Sequence, residues 1–197
     1  LEDVAAAADH LRAVAADAGD LDLAREVAVG HTSGGHHALW LAGRTRLPAD
    51  RPGGPRLRGD DPLPVAGVVG LAAIADLVDY DARGGGGCGP DAVGRLLGAS
   101  VADAGLRLAL TSPAALLPLG VPQLLVTGAL DRTVPPEHGA AWVTSAVAAG
   151  DPARLITPAG AGHFEMVAPW TDPYAAVWPR VRTFLETLRL PPGDRSP

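Results

Sequence analysis

The stretch Val27–Arg44, VAVGHTSGGHHALWLAGR, constrains this chain more than any other. A short β-branched run ends in Gly-His-Thr-Ser-Gly-Gly and passes directly into helix formers. That pattern predicts a strand, a sharp turn and a helix, with the hydroxyls of Thr32 and Ser33 at the turn. In an open parallel sheet such a turn sits at the carboxyl end of its strand, where reactive groups gather.

The rest of the chain alternates in the same way. Apolar runs predict strands over Glu26–Gly30, Val65–Ala72, Gln123–Thr127 and Ala153–Thr157. Helical patterns cover Leu1–Ala18, Gly34–Arg44, Pro136–Ala149 and Tyr174–Leu188. Strand–helix alternation implies an α/β fold: a parallel sheet with helices on both faces and successive strands adjacent. The 197 residues suit a single domain over 1–197. Thr45–Pro64 is rich in Pro, Gly, Arg and Asp and lacks an apolar period, so a mobile surface loop is expected there. The glycine run Gly84–Gly87 lacks the Lys-Ser/Thr of a phosphate loop, and Gly84–Pro90 is expected to be loosely held. Between the second and third strands the pattern is irregular, with short helical pieces and Ser112 placed to N-cap a turn begun by Pro113.

Composition removes several classes of function. The net charge is −6 without a long run of either sign, which argues against nucleic-acid or anionic-membrane partners. Cys88 is the one cysteine, so neither an internal disulfide nor a thiolate metal cluster can form. No apolar run approaches the roughly 20 residues of a membrane span. The opening LEDVAAAADHLRAVAADAG has the pattern of an amphipathic helix rather than a signal peptide, so a cytoplasmic location is expected.

Three predicted strand ends carry polar residues: Thr32 and Ser33 after the first, Asp131 after the third, His163 after the fourth. A hydroxyl is a weak nucleophile until a neutral imidazole takes its proton, and a carboxylate must hold that imidazole in the right tautomer. Hydroxyl, acid and histidine follow one another here in the chain order of one hydrolase arrangement. Among the remaining candidates, His31 is expected to pack or bond locally. His36 and His37 are expected on the helix surface or behind the site. His138 should lie at an exposed helix start, and Cys88 in a flexible loop.

With these segments on view, the chain resembles the α/β-hydrolase superfamily, above all esterase-like members related to kynurenine formamidases and to the prolyl oligopeptidase catalytic domain. GHTSGGHHALWLAGR is similar to their Gly-His-Ser-Ala-Gly-Gly-His turn and following helix, VPQLLVTGALDRTVP to the acid-bearing segment, and PAGAGHFEM to the histidine loop. The resemblance implies a partial α/β-hydrolase fold acting on a small-molecule ester or amide. It implies Thr32 (or Ser33), Asp131 and His163 as the catalytic positions, without cofactor or metal.

Two departures bear on that expectation. In the register Gly30-x-Nuc-x-Gly34 the nucleophile position falls on Thr32, whose β-branch suits poorly a turn at positive φ. Ser33 takes that place only if the motif shifts by one residue. At the amino end, the strands and the oxyanion loop that the family carries ahead of this turn have no counterpart, so the chain looks amino-terminally truncated. A non-catalytic pseudoenzyme, acting as a binding module if at all, is therefore the alternative. An apolar edge at Glu26–Gly30 would also admit a homodimer, unless the first helix covers it.

Overall fold

A computed structural model of the chain describes residues 1–84 and 86–188. Four parallel strands lie in chain order: β1 (Val27–His31), β2 (Gly67–Leu71), β3 (Gln123–Val126) and β4 (Ala153–Ile156). The helices are α1 (Glu2–Ala18), α2 (Ser33–Gly43), α3 (Gly54–Arg58), α4 (Leu77–Ala82), α5 (Ala92–Leu97), α6 (Gly105–Thr111), α7 (Pro136–Ala148) and α8 (Asp172–Thr187). Type, parallel sense and neighbour order match the expectation, with strand ends shifted by one or two residues.

The two-residue period of the strands divides the core. Val68 and Leu125 point to a face shared with Leu39 and Trp40 of α2, Trp142 and Ala146 of α7, and Ala5 of α1. Val69, Leu71, Leu124 and Val126 point to the other face, against Leu77 and Tyr80 of α4, Val93 of α5, and Val177 and Val181 of α8. Both faces of β2 are covered, and its residues are buried throughout. Burying a large side chain of this kind contributes about 1.5–3 kcal/mol. Trp40 adds a satisfied polar end, its indole N–H donating to the Leu110 carbonyl at 2.8 Å. Strand β1 lies at the edge of the sheet, and Val29 remains 47 % exposed.

The segment expected to be a featureless loop, Thr45–Pro64, is more structured than its composition suggests. It contains the last residues of a 3-10 turn (Arg44–Arg46) and helix α3, and it buries Leu47 and Leu63. Long-range pairing explains this. The Leu63 N–H donates to Asp9 on α1 at 2.8 Å, and Asp61 pairs with Arg12 at 3.1 Å. Arg44 is fully buried; it donates to the Ala5 carbonyl at 2.9 Å and pairs with Asp9, tying α1 to α2.

Ser112 precedes a 3-10 turn, Pro113–Leu116, but its side chain makes no cap to it. Its hydroxyl oxygen instead accepts from the Leu77 N–H of α4 at 3.2 Å. Within the expected loose segment, Gly86–Cys88 form a 3-10 turn, while Gly85 lies outside the described residues.

Candidate active site

The site begins where β1 ends. The Thr32 N–H still donates to the Leu71 carbonyl on β2 at 2.9 Å, and α2 begins at the next residue. Between them the backbone turns at Thr32 with φ 52 and ψ −115, a conformation that costs a β-branched residue of order 1–3 kcal/mol. Two bonds hold it: the Thr32 carbonyl accepts from the His36 N–H at 3.1 Å and from the Ile74 N–H at 3.3 Å. The chain folds back so closely that a Cβ on Gly30 would lie 2.0 Å from the Gly34 carbonyl oxygen. Glycine at that position is a packing requirement. Ser33 is exposed, and as the first residue of α2 its N–H belongs to the unpaired amides of a helix start, which favour an anionic oxygen. The Thr32 hydroxyl is shut away from solvent and makes no hydrogen bond.

Asp131 follows β3 and is 4 % exposed. One carboxylate oxygen accepts from the N–H groups of Thr133 and Val134 at 2.8 and 2.9 Å. The other faces the His163 Nδ1 at 2.8 Å. A carboxylate only accepts, so Nδ1 carries the proton and Nε2 is left as the basic nitrogen. The two loops bearing this pair are joined along their backbones: the Leu130 N–H donates to Ala161 at 2.8 Å and the Ala129 N–H to Pro158 at 3.2 Å. Their approach is so close that a Cβ on Gly128 would stand 2.3 Å from the Gly162 oxygen. Glu165 steadies the far side, accepting from the Gly162 N–H at 2.9 Å.

His31 connects this pair to the Thr32 turn. Its Nε2–H donates to the His163 carbonyl at 2.8 Å, and the two imidazoles lie 4.6 Å apart between centroids. Burial pushes the His31 pKa below its usual value, although the bond to His163 opposes the shift. His31 thus packs against its neighbours, on the rings of His163 and Phe164, while its bonding partner is distant in sequence and belongs to the histidine loop.

His36 takes the second of its two expected places, behind the site, whereas His138 departs from expectation. His36 is 3 % exposed; Nδ1–H donates to the Ile74 carbonyl at 3.1 Å, and burial pushes its pKa down to about 4. A signal for this was present, since His36 precedes Leu39 and Trp40 by three and four residues and so shares their buried face. His138, expected at an exposed helix start, is 1 % exposed and paired with Asp79 of α4. Gly128 and the Asp79–His138 pair had no local signal, since each depends on a segment distant in the chain. Among the described residues, no group of three His, Cys, Asp or Glu side chains is placed to hold a metal ion. Nor is any described helix long and apolar enough to cross a membrane.

Together the parallel sheet, its covering helices and the strand-end turns define a partial α/β-hydrolase fold. Solved structures of esterases share it. A protein described as bifunctional GH43-CE from Bacteroides eggerthii superposes with a TM-score of 0.72 at 23 % identity, over 96 % of this chain and 27 % of that one. Thermogutta terrifontis esterase 2 phosphoramylated by tabun gives 0.60 at 19 %, over 84 % and 56 %. The same esterase with propionate bound gives 0.56 at 20 %, over 85 % and 58 %. This chain therefore spans about a quarter of the first structure and somewhat over half of the others. No protein-family model matches the sequence, and no match to it was found among curated proteins.

Proposed function

We propose that this chain carries an acyl-hydrolase site for a carboxylic ester or amide, with Asp131, His163 and the hydroxyl of Thr32 in the roles of acid, base and nucleophile. The observation that carries the reading is the buried 2.8 Å bond between His163 and Asp131, on loops that follow adjacent strands beside the Thr32 turn. Its neighbours in fold are esterases, one of them modified by an organophosphorus agent and also known with propionate bound.

In this mechanism the His163 Nε2 takes the hydroxyl proton as the Thr32 oxygen bonds to the substrate's carbonyl carbon. The Ser33 N–H donates to the oxygen that becomes negative, the kind of contact worth about 10²–10³ in turnover where one donor has been removed. Imidazolium then passes its proton to the leaving alcohol or amine as the tetrahedral intermediate collapses. Water, deprotonated by His163, cleaves the resulting ester on Thr32.

A pseudoenzyme is the second reading, and one observation favours it: the Thr32 hydroxyl is enclosed and unbonded, so a rotation about χ1 must precede attack. A fluorophosphonate label decides between the two. Hydrolase chemistry requires a covalent adduct on Thr32, identified by peptide mass, that is lost in His163→Ala. Labelling at Ser33 would move the nucleophile by one residue. Absence of any adduct would favour the pseudoenzyme.

A further inference from the structure

Beside the Thr32 turn, on the side where Ser33 is exposed, lies a cavity of 210 Å³. Ser33 stands on its rim; Ile74, Leu77, Tyr80 and Val93 form its inner wall, and Leu96 its lip. The four wall residues are each no more than 6 % exposed, whereas Leu96 is 50 % exposed. The lining contains no carboxylate and no guanidinium, and burial pushes its two histidines toward the neutral form. The Tyr80 hydroxyl is directed to the Cys88 sulfur at 3.4 Å.

Such a surface gives a charged group no partner, and desolvating one there would be costly. It rewards an uncharged, compact apolar group. An apolar cavity of about 150 Å³ holds benzene. The present volume therefore accommodates one six-membered ring or a short branched chain, with little to spare.

We propose that this cavity is a binding site for a single-ring, uncharged apolar group, presented by the ester or amide that the Thr32 site would cleave. What the group is attached to rests on the hydrolase reading; the cavity's preference does not. Occupation would bring the attached carbonyl beside Ser33, the rim residue whose N–H begins α2.

The experiment separates the two ideas by reading binding without turnover. Benzyl alcohol, 1-naphthylmethanol and methanol are titrated into the labelled protein and followed by NMR. Benzyl alcohol should saturably shift the methyl signals of Leu77, Val93 and Leu96, whereas methanol should not, and 1-naphthylmethanol should bind at least about tenfold more weakly, as a size-limited pocket discriminates. Val93→Phe should abolish those shifts by filling the space. Leu96→Glu, a change at an exposed position that spares the packed wall, should weaken binding by a similar factor. Phenyl and methyl acetate assayed in parallel report on hydrolysis alone. Saturable shifts without turnover of either ester would uphold the cavity and count against the hydrolase reading. Turnover with no saturable shift in the cavity, or with shifts unchanged in both variants, would overturn the cavity proposal.

Discussion

His138 and Asp79, 59 residues apart in sequence, form a second imidazole–carboxylate pair, its imidazole buried and its carboxylate partly exposed, with Nδ1–H donating to the carboxylate at 2.5 Å. The other ring nitrogen accepts from the Ala75 N–H at 2.9 Å. Both nitrogens are thus committed, and the pair fastens the start of α7 to the segment that leads from β2 into α4. That same segment bonds to the Thr32 carbonyl through Ile74. Replacing Asp79 with Ala leaves a buried N–H unpaired, so a loss of about 1–3 kcal/mol is expected. Urea unfolding checks it; a loss below about 0.5 kcal/mol, within the ordinary range of surface substitutions, would show that the pair is not structural.

Acid should weaken the fold through His36. Burial holds its folded pKa at about 4, below the 6.5 of an unperturbed histidine. The fold therefore favours the neutral ring: its contribution is complete above pH 6.5 and is lost as the pH falls toward 4. A gap of about 2.5 pH units corresponds to about 3 kcal/mol at the acid end. Burial lowers the His138 pKa in the same direction, against the pull of Asp79. Urea midpoints measured between pH 7 and pH 4.5 should fall for the natural chain and fall less steeply for His36→Leu. Equal slopes would exclude His36 as the cause.

Threonine at the turn should limit turnover. Thr32→Ser removes the methyl and frees χ1, so a gain of at least about tenfold in aryl-ester hydrolysis is expected, equivalent to about 1.4 kcal/mol in barrier. Ser33→Ala should change little, because the mechanism uses that residue's N–H. The assay takes His163→Ala as background. A collapse in Ser33→Ala with Thr32→Ala intact would make Ser33 the nucleophile.

Gly128→Ala should separate the loops that bear Asp131 and His163. The added Cβ meets backbone oxygens of Gly162 and Ala161 at 2.3 and 2.5 Å, which no side-chain rotation relieves. A destabilisation of about 1–3 kcal/mol is expected from overpacking of this kind. Thermal unfolding measures it, and an unchanged midpoint would show that the loops can part freely.

Among the described residues, β1 pairs with a strand on one side only, and its Val29 is exposed. Self-association through this edge is the expected behaviour, and Val29→Lys should suppress it. Sedimentation across a range of concentration reads the outcome. A monomer at all concentrations, or a dimer indifferent to the lysine, would count against edge pairing.

What the linear sequence determined here was periodic or local. Alternating apolar runs specified four parallel strands in neighbouring order, because short strand–helix connections leave few other routes. The Gly-His-Thr-Ser-Gly-Gly stretch located the strained turn, because a strand passing directly into a helix must reverse its path within a residue or two. The expectation that Asp131 and His163 meet came from their chain order and a family resemblance. Their 2.8 Å bond, and the glycine that lets their loops touch, exist only once β3 and β4 lie side by side. Tertiary structure alone decided the fate of His138 and of Thr45–Pro64. His138 is buried because Asp79 and the Ala75 N–H reach it from a distant segment, and the Pro-rich stretch is held because Asp9 and Arg12 on α1 supply its partners. A polar residue's environment depends on which remote group satisfies it, and neither periodicity nor local propensity carries that information.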